Sequence, residues 1–405
     1  MKIAILGYGV VGKAVEQYLR KHRPETEITI LDQKDDPDYL KRLTEFDLVY
    51  RSPGVLYSLP EIRSAIRKGV EFSSSINLFF ENAKGTVIGI TGTKGKGTTS
   101  QLIYEILKAD KRDVYLGGNI GISELSFLDK LTKDSISVIE LSNVQLWDIK
   151  YSPHIAGVLG IFPDHLDWHK NFKEYFGTKL NMARYQKPDD FVFYIQDNKF
   201  SRRVAKKSKG HKVAVDPESI KIPLSIPGEH NRRNAAMAAA ICTQVGVRPE
   251  IVLEVIKDYR GLPYRLTRAD VKRGVIYIND SASTNPQTTC AAIKSFPDKQ
   301  KILIAGGFDK GLNYNPLRDT LRNEGNIKLV VLYGANRDKI KDVLKDEVPI
   351  KMVNGPLEKV VELVSRQARA GDIVIFSPGA ASFDMFTNYQ ERGDIFSEIV
   401  KNIKD

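Results

Sequence analysis

Short apolar runs alternate with amphipathic stretches from one end of the chain to the other. The runs that predict strands are rich in Val and Ile, and they include Ile3–Leu6, Ile28–Leu31, Leu48–Tyr50, Val87–Ile90, Val138–Leu141, Phe191–Ile195, Val275–Ile278, Ile302–Ala305, Leu329–Tyr333 and Ile373–Phe376. Helical patterns between them include Val11–Arg20, Thr98–Leu107 and Pro356–Ala370. This alternation is typical of α/β proteins with parallel sheets, whose strands are covered by helices on both faces.

The length of 405 residues predicts more than one hydrophobic core. Breaks near Lys84–Gly85 and at Gly261-Leu262-Pro263, where Gly and Pro interrupt the pattern, divide the chain into residues 1–85, 86–262 and 263–405. We expect three α/β domains: an N-terminal Rossmann-like domain, a central P-loop-type ATPase domain and a C-terminal Rossmann-like domain.

Composition and charge narrow the class of protein. A hydrophobic share of 42% and a charged share of 27% are typical of a globular protein, and we expect a cytoplasmic chain without membrane insertion. Cys242 and Cys290 lack metal-site spacing and are predicted to be reduced structural thiols. The net charge of +11 suits anionic partners. Part of it lies in Lys199–Lys212, which we interpret as a solvated basic loop, because it lacks the series of aromatic residues of a nucleic-acid stacking platform.

A first glycine loop, Gly7-Tyr8-Gly9-Val10-Val11-Gly12, follows a predicted strand and opens a helix. Asp32 lies at the end of the next strand, as in dinucleotide-binding units. Glycines allow the backbone to approach a diphosphate, and the helix N-terminus adds positive potential. The loop therefore predicts a site for a nucleotide diphosphate, which NAD and a UDP-sugar both carry. A domain that has kept only the Rossmann shape stays an alternative.

A second glycine loop, residues 89–99, is the most informative segment. It reads Gly-Ile-Thr-Gly-Thr-Lys-Gly-Lys-Gly-Thr-Thr and joins a strand to a helix. Its backbone N–H groups can surround phosphate oxygens, while Lys96 supplies charge to the β- and γ-phosphates and the Thr98 hydroxyl binds Mg²⁺. The strict P-loop spacing is not met, since Gly97 stands at the usual Ser/Thr position.

Three further segments carry polar side chains next to predicted strands. Glu140 ends a strand, where a carboxylate can reach a metal on the phosphates. The segment Asp164-His165-Leu166-Asp167-Trp168-His169 predicts either a metal or acid–base site or a polar loop. Lys179 follows Tyr175-Phe176-Gly177-Thr178 and would by itself be read as a surface lysine on an amphipathic helix.

Together these segments resemble the Mur ligases. Thr91–Lys96 is similar to the family's Thr-Gly-Thr-x-Gly-Lys loop, which folylpolyglutamate synthase also has. Further segments that are similar to family motifs are Glu140–Leu146, Asp164–Asp167, Tyr175–Lys179, Gly228–Ala236, Gly261–Leu266, Asn279–Pro286 and Gly306–Gly311. The stretch from Ser377 to Gly393 is close to the D-glutamate-adding type. Tyr264 and Ala282 depart from the pattern, which has His and Lys at these positions.

The resemblance implies an ATP-dependent amide-bond ligase that adds D-glutamate to UDP-N-acetylmuramoyl-L-alanine in peptidoglycan precursor synthesis, acting as a monomer. It implies ATP, two Mg²⁺ ions and CO₂, bound as a carbamate on Lys179. The catalytic residues would be Lys96, Glu140, His165, Lys179 and Arg265, and the metal ligands Thr98, Glu140, His165 and carbamylated Lys179. The ATP-binding residues would be Gly92, Thr93, Lys94, Gly95, Lys96, Gly97, Thr98, Thr99, Asn231, Arg265 and Asp280.

The resemblance also implies where the other two substrates bind. Residues for the UDP substrate would be Gly9, Val10, Val11, Asp32, Gln33, Ser52, Gly54, Asn119 and Gln145. Those for the two carboxylates of the amino acid would be Thr284, Lys310, Ser382 and Tyr389. Alternatives are a folylpolyglutamate-type ligase, a Mur ligase that adds another amino acid, and an NAD-dependent oxidoreductase or NAD sensor. The first glycine loop argues against the folyl enzyme, and the second has no role in an NAD protein.

Overall fold

The computed structural model describes residues 1–164, 168–226, 228–345 and 347–404. These residues divide into two compact units. The first contains residues 1–225 and 229–259, and the second begins at Arg260 and includes the short stretch before Glu229. The first unit holds two sheets and the second unit holds a third.

The first sheet has four parallel strands in the order β2-β1-β3-β4. The strands are β1 Ile3–Leu6, β2 Ile28–Leu31, β3 Leu48–Arg51 and β4 Glu71–Ser73, and the helices are α1 Val10–His22, α2 Pro60–Arg67 and α3 Ser75–Asn82. β1 is buried along its whole length, which explains why it carries only apolar residues. The first glycine loop lies between β1 and α1, as predicted.

The second sheet has six parallel strands in the order β10-β9-β8-β5-β7-β6. Its strands are β5 Thr86–Thr91, β6 Val114–Gly118, β7 Ile136–Glu140, β8 Ile155–Val158, β9 Phe191–Ile195 and β10 His211–Val215. Its helices are α4 Lys96–Ala109, α5 Phe172–Arg184, α6 Lys199–Ala205, α7 Glu229–Gln244 and α8 Pro249–Asp258. β5 pairs with both β7 and β8, so the segments that follow these three strands emerge side by side at one edge of the sheet.

The interpretation of Lys199–Lys212 as a basic loop was wrong. Lys199 begins α6, whose N-terminus is capped by the Asn198 side chain, and Val204 and Ala205 of this helix are buried. Lys212 belongs to β10, an edge strand that pairs with β9. The basic side chains lie on the outer faces of these elements. In the sequence, the short helix and strand therefore resemble a solvated loop.

The third sheet has six strands in the order β11-β12-β16-β13-β14-β15, and all but β11 are parallel. The strands are β11 Thr267–Lys272, β12 Val275–Asn279, β13 Lys301–Gly306, β14 Ile327–Tyr333, β15 Ile350–Met352 and β16 Ile373–Phe376. The helices are α9 Pro286–Lys294, α10 Asn315–Asn323, α11 Arg337–Leu344, α12 Leu357–Gln367 and α13 Tyr389–Lys401. β11 and β12 form a hairpin that the sequence did not predict.

The protein is therefore an α/β protein with predominantly parallel sheets, as its alternating pattern predicted. The division into three domains at residues 85 and 262 stays a prediction. Within the described ranges, the structure contains no helix that is both long and apolar enough to span a bilayer.

One hydrophobic core joins the first and second sheets. Ile3, Ile5 and Tyr50 of the first sheet belong to the same buried cluster as Leu146 and Ile149. Several ion pairs surround this core, among them Lys21–Asp129 and Lys150–Glu71. The first glycine loop therefore follows a strand of a sheet that shares a hydrophobic core with the second sheet.

A carboxyl group lies buried beside this shared core. Glu124 is 2% exposed, and its Oε1 atom accepts no hydrogen bond from any residue that the structure describes. Burial raises the pKa of Glu124, and a hydrogen bond with Ser75 offsets only part of this effect. The folded protein therefore favours the neutral acid.

We expect Glu124→Gln to stabilise the protein above acidic pH. As the pH rises through the unfolded value of about 4.3, the unfolded chain releases the Glu124 proton while the folded chain retains it, so stability is lost with rising pH. The variant lacks this loss of stability, so its advantage in free energy of unfolding over the wild-type protein should grow between about pH 4 and pH 8. Urea denaturation at both pH values measures the difference in free energy of unfolding between the variant and the wild-type protein. The exposed Glu254→Gln is the control, and an equal response of the two variants would contradict the prediction.

Candidate nucleotide and metal site

The second glycine loop connects β5 to α4 and has a backbone that requires glycine at two positions. Gly95 has a left-handed φ of +86°, and a Cβ atom there would lie 2.2 Å from the Asn234 Oδ1 atom. A Cβ atom at Gly92 would lie 2.7 Å from Leu159 Cβ. The loop is therefore confined between α7 and the segment after β8.

The lysines and threonines of this loop differ in burial. The Lys96 ammonium donates to the Gly92 and Thr93 carbonyls at 3.2 and 3.1 Å, so the side chain folds back over the loop. Lys94 is exposed and Thr98 is half-buried, whereas Thr99 is fully buried within α4. Of the two threonines, Thr98 therefore remains closer to the surface of the loop.

Helix α7 brings asparagine side chains to the same loop. The Asn234 amide donates to Asn231 Oδ1 at 3.3 Å, and Asn234 packs against Gly95. The sequence predicted Asn231 as an ATP contact but assigned no role to Asn234. Only the close approach to Gly95 reveals that Asn234 helps shape the loop.

Glu140 lies at the end of β7, beside the loop that follows β6. The Asn119 amide donates to Glu140 Oε1 at 2.7 Å, and the Asn119 N–H donates to the Glu140 carbonyl at 2.9 Å. Glu140 is 5% exposed. Asn119 therefore orients a nearly buried carboxylate, a contact that its predicted role in UDP binding did not include.

Lys179 of α5 is fully buried, and its Nζ atom donates to Thr91 Oγ1 at 2.9 Å and to the Gly92 carbonyl at 3.2 Å. The alternative that Lys179 is a surface lysine is therefore excluded. Burial lowers the pKa of Lys179 well below its ordinary value, the nearby Lys96 charge lowers it further, and Glu140 and Asp164 act in the opposite direction. A neutral amine is thus favoured beside the second glycine loop.

A buried polar and aromatic network supports this region. The Thr93 and Tyr175 hydroxyls are 2.9 Å apart, and the Asn143 amide nitrogen lies 2.7 Å from His169 Nε2. The His169 ring packs against both Tyr175 and Trp147. Tyr175 had no predicted role of its own. His165 and Asp167 lie outside the described residues, and among the residues that are described no three His, Cys, Asp or Glu side chains lie close enough together to hold a metal ion.

A cavity of about 440 Å³ lies beside the first glycine loop. Most of the residues predicted for the UDP substrate line it, namely Gly9, Val10, Val11, Asp32, Gln33, Ser52 and Gly54. Asn119 and Gln145 are not among the lining residues, and the Gln145 side chain accepts hydrogen bonds from Ser142 instead. Val10 is 81% exposed at this cavity.

The Asp32 carboxylate accepts hydrogen bonds from the loops that line the cavity. Its carboxylate accepts the Tyr8 N–H at 2.6 Å and the Lys34 N–H at 3.0 Å. These two bonds, that from Tyr8 first, lower the pKa of Asp32. The carboxylate therefore shapes the cavity by holding the first glycine loop in place.

In the second unit, Arg265 lies in a turn with unusual backbone angles. Tyr264 and Leu266 on either side have φ values of +62° and +50°, which non-glycine residues seldom adopt. The turn is secured because the Tyr264 hydroxyl donates to Asp394 at 2.7 Å and the Ala282 N–H donates to the Tyr264 carbonyl at 2.9 Å. The Arg265 side chain is exposed, so it is available to a ligand.

Asp280 is buried at the end of β12 with both carboxylate oxygens occupied. Oδ2 accepts the Ser283 and Ser377 hydroxyls at 2.5 and 2.7 Å, and Oδ1 accepts the Leu266 N–H at 3.1 Å. Burial raises the pKa of Asp280 to about 6, although these bonds partly oppose the shift. The structure thus gives Asp280 internal partners in addition to its predicted contact with the ATP ribose.

Of the four residues predicted for the amino acid, three lie on loops that follow strands of the third sheet and the fourth begins α13. Thr284 follows β12, Lys310 follows β13, and Ser382 lies between β16 and Tyr389, the first residue of α13. Lys310 is exposed, and its ammonium lies 5.5 Å from the centre of the Phe383 ring. The Phe308 N–H donates to the Ala381 carbonyl at 2.9 Å, which brings the Lys310 and Ser382 loops together.

Arg392 connects two of these loops and was not predicted to have a role. Its side chain is fully buried in α13 and donates to the Ser281 hydroxyl and carbonyl at 2.9 and 2.7 Å. It also donates to the Ala380 and Ala381 carbonyls at 3.0 and 3.1 Å. Ser281 additionally donates to the Tyr389 carbonyl, so Arg392 fixes the loops that carry Thr284, Ser382 and Tyr389.

Comparison with known proteins agrees with these motifs. Residues 90–216 match the model of the Mur ligase middle domain. The UDP-N-acetylmuramoylalanine–D-glutamate ligase of Acetivibrio thermocellus is 34% identical over 100% of this chain and 97% of its own length. That of Aquifex aeolicus is 35% identical over 99% of both chains.

Solved structures share the fold at lower identity. The UDP-N-acetylmuramate–alanine ligase of Thermotoga maritima has a TM-score of 0.61 and 17% identity, and the alignment covers 100% of both chains. The MurF ligase of Thermotoga maritima in complex with ADP has a TM-score of 0.60 and 16% identity, over 99% of this chain and 95% of that chain. The resemblance predicted from the sequence is confirmed, and the chain belongs to the Mur ligase family.

Proposed function

We propose that the chain joins D-glutamate to UDP-N-acetylmuramoyl-L-alanine and converts ATP to ADP and phosphate, as an acid–D-amino-acid ligase of peptidoglycan synthesis. One observation carries this proposal: relatives named for that reaction are 34% and 35% identical along 97% and 99% of their lengths. The nucleotide substrates are cytoplasmic metabolites, so we expect the enzyme to work in the cytoplasm, and we expect it to act as a monomer.

The reaction would proceed through an acyl phosphate. A carboxylate oxygen of the alanine attacks the γ-phosphorus of ATP, and the bond to the bridging oxygen breaks with release of ADP. The neutral amine of D-glutamate then attacks the acyl carbon, the carbon–oxygen bond to phosphate breaks, and the nitrogen loses a proton. Lys96 and Arg265 would stabilise the negative charge on the transferring phosphoryl group.

Two side chains suit Mg²⁺ by their chemistry: the Glu140 carboxylate, which Asn119 orients, and the half-buried Thr98 hydroxyl near the start of α4. We propose that Glu140 and Thr98 hold one Mg²⁺ with the ATP phosphates, and that His165 and a carbamylated Lys179 hold a second. When bound, Mg²⁺ would neutralise phosphate charge. Hard oxygen donors are the ligands that this ion prefers.

Lys179 has the chemistry that a carbamate requires. Only an unprotonated amine attacks CO₂, and the buried position of Lys179 favours that form. Addition of the amine nitrogen to the CO₂ carbon, with loss of a proton, would turn a cation into an anion. That anion would compensate the Lys96 charge, which an ammonium group at Lys179 would repel.

The UDP part of the substrate suits the cavity at the first glycine loop. The N-terminus of α1 faces this cavity through Gly9 and Val10, and helix N-termini favour phosphate groups. A bound nucleotide would also cover the exposed Val10 side chain. NAD carries the same diphosphate, but an NAD protein would have no use for the second glycine loop.

The third sheet would bind the amino acid. Lys310 and Thr284 would hold the α-carboxylate of D-glutamate, and Ser382 and Tyr389 would hold its side-chain carboxylate. Arg392 supports this arrangement by fixing the loops to one another. Ala282 leaves out one cation that the family pattern has, so a related amino acid is the second candidate substrate.

A panel of amino acids tests the proposal. We expect ADP release with UDP-N-acetylmuramoyl-L-alanine to require D-glutamate and to yield the amide product, detected by mass spectrometry. Lys310→Met should raise the KM for D-glutamate about tenfold or more while leaving the KM for ATP nearly unchanged, since one charged hydrogen bond is lost. Lys359→Met, which alters an exposed lysine of α12, is the control. ADP release with a folate substrate, or with another amino acid preferred over D-glutamate, would overturn the assignment.

A further inference from the structure

Arg51, the last residue of β3, is an arginine whose side chain is buried among polar partners of two separate loops. Its side chain is 1% exposed, and that of its partner Asp148 is 2% exposed. The two form a two-pronged ion pair, in which Nε and Nη2 each lie 2.8 Å from one carboxylate oxygen. A buried pair of this geometry constrains the relative position of the segments that carry it.

On one side, Arg51 holds a wall of the cavity at the first glycine loop. Its Nη1 atom donates to the Val55 carbonyl at 2.7 Å and to the Ser52 carbonyl at 3.3 Å. Ser52 in turn donates its hydroxyl to the Gly7 carbonyl at 2.5 Å. Ser52, Val55 and Gly7 all line the cavity, so the guanidinium fixes a loop that would face the UDP part of the substrate.

On the other side, Arg51 holds the segment that follows Glu140. Its Nη2 atom donates to the Val144 carbonyl at 3.1 Å, and Asp148 lies four residues further along the same segment. The neighbouring Asn143 contacts His169, which packs on Tyr175 beside the second glycine loop. One side chain therefore contacts both the cavity wall and the segment that follows Glu140.

We propose that Arg51 and Asp148 form a positioning pair that fixes the UDP-substrate cavity relative to the phosphate and metal site. The role rests on the proposed function, in which a carboxylate of the UDP-linked substrate must meet the γ-phosphate of ATP. Arg51 would touch neither substrate. It would act because misplacement of reacting groups by about 1 Å can lower rates by about 10²-fold.

The planar guanidinium is essential to this role. Arg51 serves four acceptor groups at once: the Asp148 carboxylate and the carbonyls of Ser52, Val55 and Val144. A lysine ammonium keeps the charge but has only three donors on a single atom, so it cannot span both loops. Arg51→Lys is therefore the conservative variant that separates charge from geometry.

The test compares three variants by steady-state kinetics, calorimetric binding of UDP and of ADP, and melting temperature. They are Arg51→Lys, the double variant Arg51→Met with Asp148→Leu, and the control Lys150→Met. The double variant removes both buried charges together, so it avoids leaving one of them unpaired. Lys150→Met breaks the exposed Lys150–Glu71 ion pair, which spans the same two sheets.

We expect Arg51→Lys and the double variant to raise the KM for the UDP substrate about tenfold and to lower kcat about ten- to 100-fold. UDP affinity should fall similarly, whereas ADP affinity and the KM for ATP should change less than about twofold. Lys150→Met should match the wild type. If the double variant melts near the wild-type temperature and retains wild-type kcat and KM, the pair is only structural and the proposal is overturned.

Failure of the ligase assignment would look different. In that case the wild-type protein itself would form no amide product, so the kcat and KM values of the variants could not be compared with those of the wild type. UDP and ADP binding still test the pair. Equal UDP affinity of the wild-type protein and a folded double variant would contradict the positioning role, whereas a selective loss of UDP affinity would support it.

Discussion

Lys179→Met is expected to lower kcat roughly 10³-fold, the scale seen when one preorganised electrostatic group is removed from an active site. Methionine keeps most of the buried volume of lysine but cannot form a carbamate. Steady-state ADP release measures the loss. ADP affinity and melting temperature should change little, because the polar contacts of the side chain within the described residues are those to Thr91 and Gly92.

The wild-type protein provides the matching control. Removal of CO₂ should reduce its turnover and bicarbonate should restore it, with a carbamate carbon signal in NMR spectra after addition of ¹³C-bicarbonate. Lys179→Met should give no such signal and no response to bicarbonate. Full wild-type activity after CO₂ removal, together with an absent carbamate signal, would contradict the proposed role of Lys179.

Lys96→Ala should lower kcat by about 10²- to 10³-fold, because the ammonium neutralises charge that develops on the γ-phosphoryl group. The Lys96 side chain already lies over the second glycine loop, held by the Gly92 and Thr93 carbonyls. The KM for D-glutamate should stay nearly unchanged, since the amino acid would bind to another sheet. Single-turnover kinetics separate the chemical step from product release.

Lys108→Ala is the control for this variant. Lys108 is exposed in the last turn of the same helix, α4, far along it from the glycine loop. We expect wild-type kinetics from it. If Lys96→Ala and Lys108→Ala behaved alike, the second glycine loop would not act through its lysine.

The sequence predicted many of the strands, because they consist of short apolar runs rich in Val and Ile. β1, β2, β9 and β16 have the predicted bounds. β4, β10 and β15 escaped prediction because they are short strands at sheet edges that carry exposed polar residues, as in Glu71 and Lys212. α6 escaped because its basic residues resemble those of a solvated loop.

The site was predictable where its residues are close in sequence and not where they meet through the fold. The two glycine loops are local motifs, so their positions after β1 and β5 followed from the sequence. The Arg51–Asp148 contact joins residues 97 positions apart, and Thr93–Tyr175 joins residues 82 apart. Such contacts depend on which strands are neighbours, and the sequence pattern carries no such information.

In the proposed reaction, the γ-phosphoryl group of ATP passes to the carboxylate of the UDP-linked substrate. The most direct test uses UDP-N-acetylmuramoyl-L-alanine labelled with ¹⁸O in the alanine carboxylate, together with ATP and D-glutamate. We expect the released phosphate to carry one ¹⁸O atom from the carboxylate, because the carbon–oxygen bond breaks when the amine attacks. Unlabelled phosphate accompanying the amide product would contradict it.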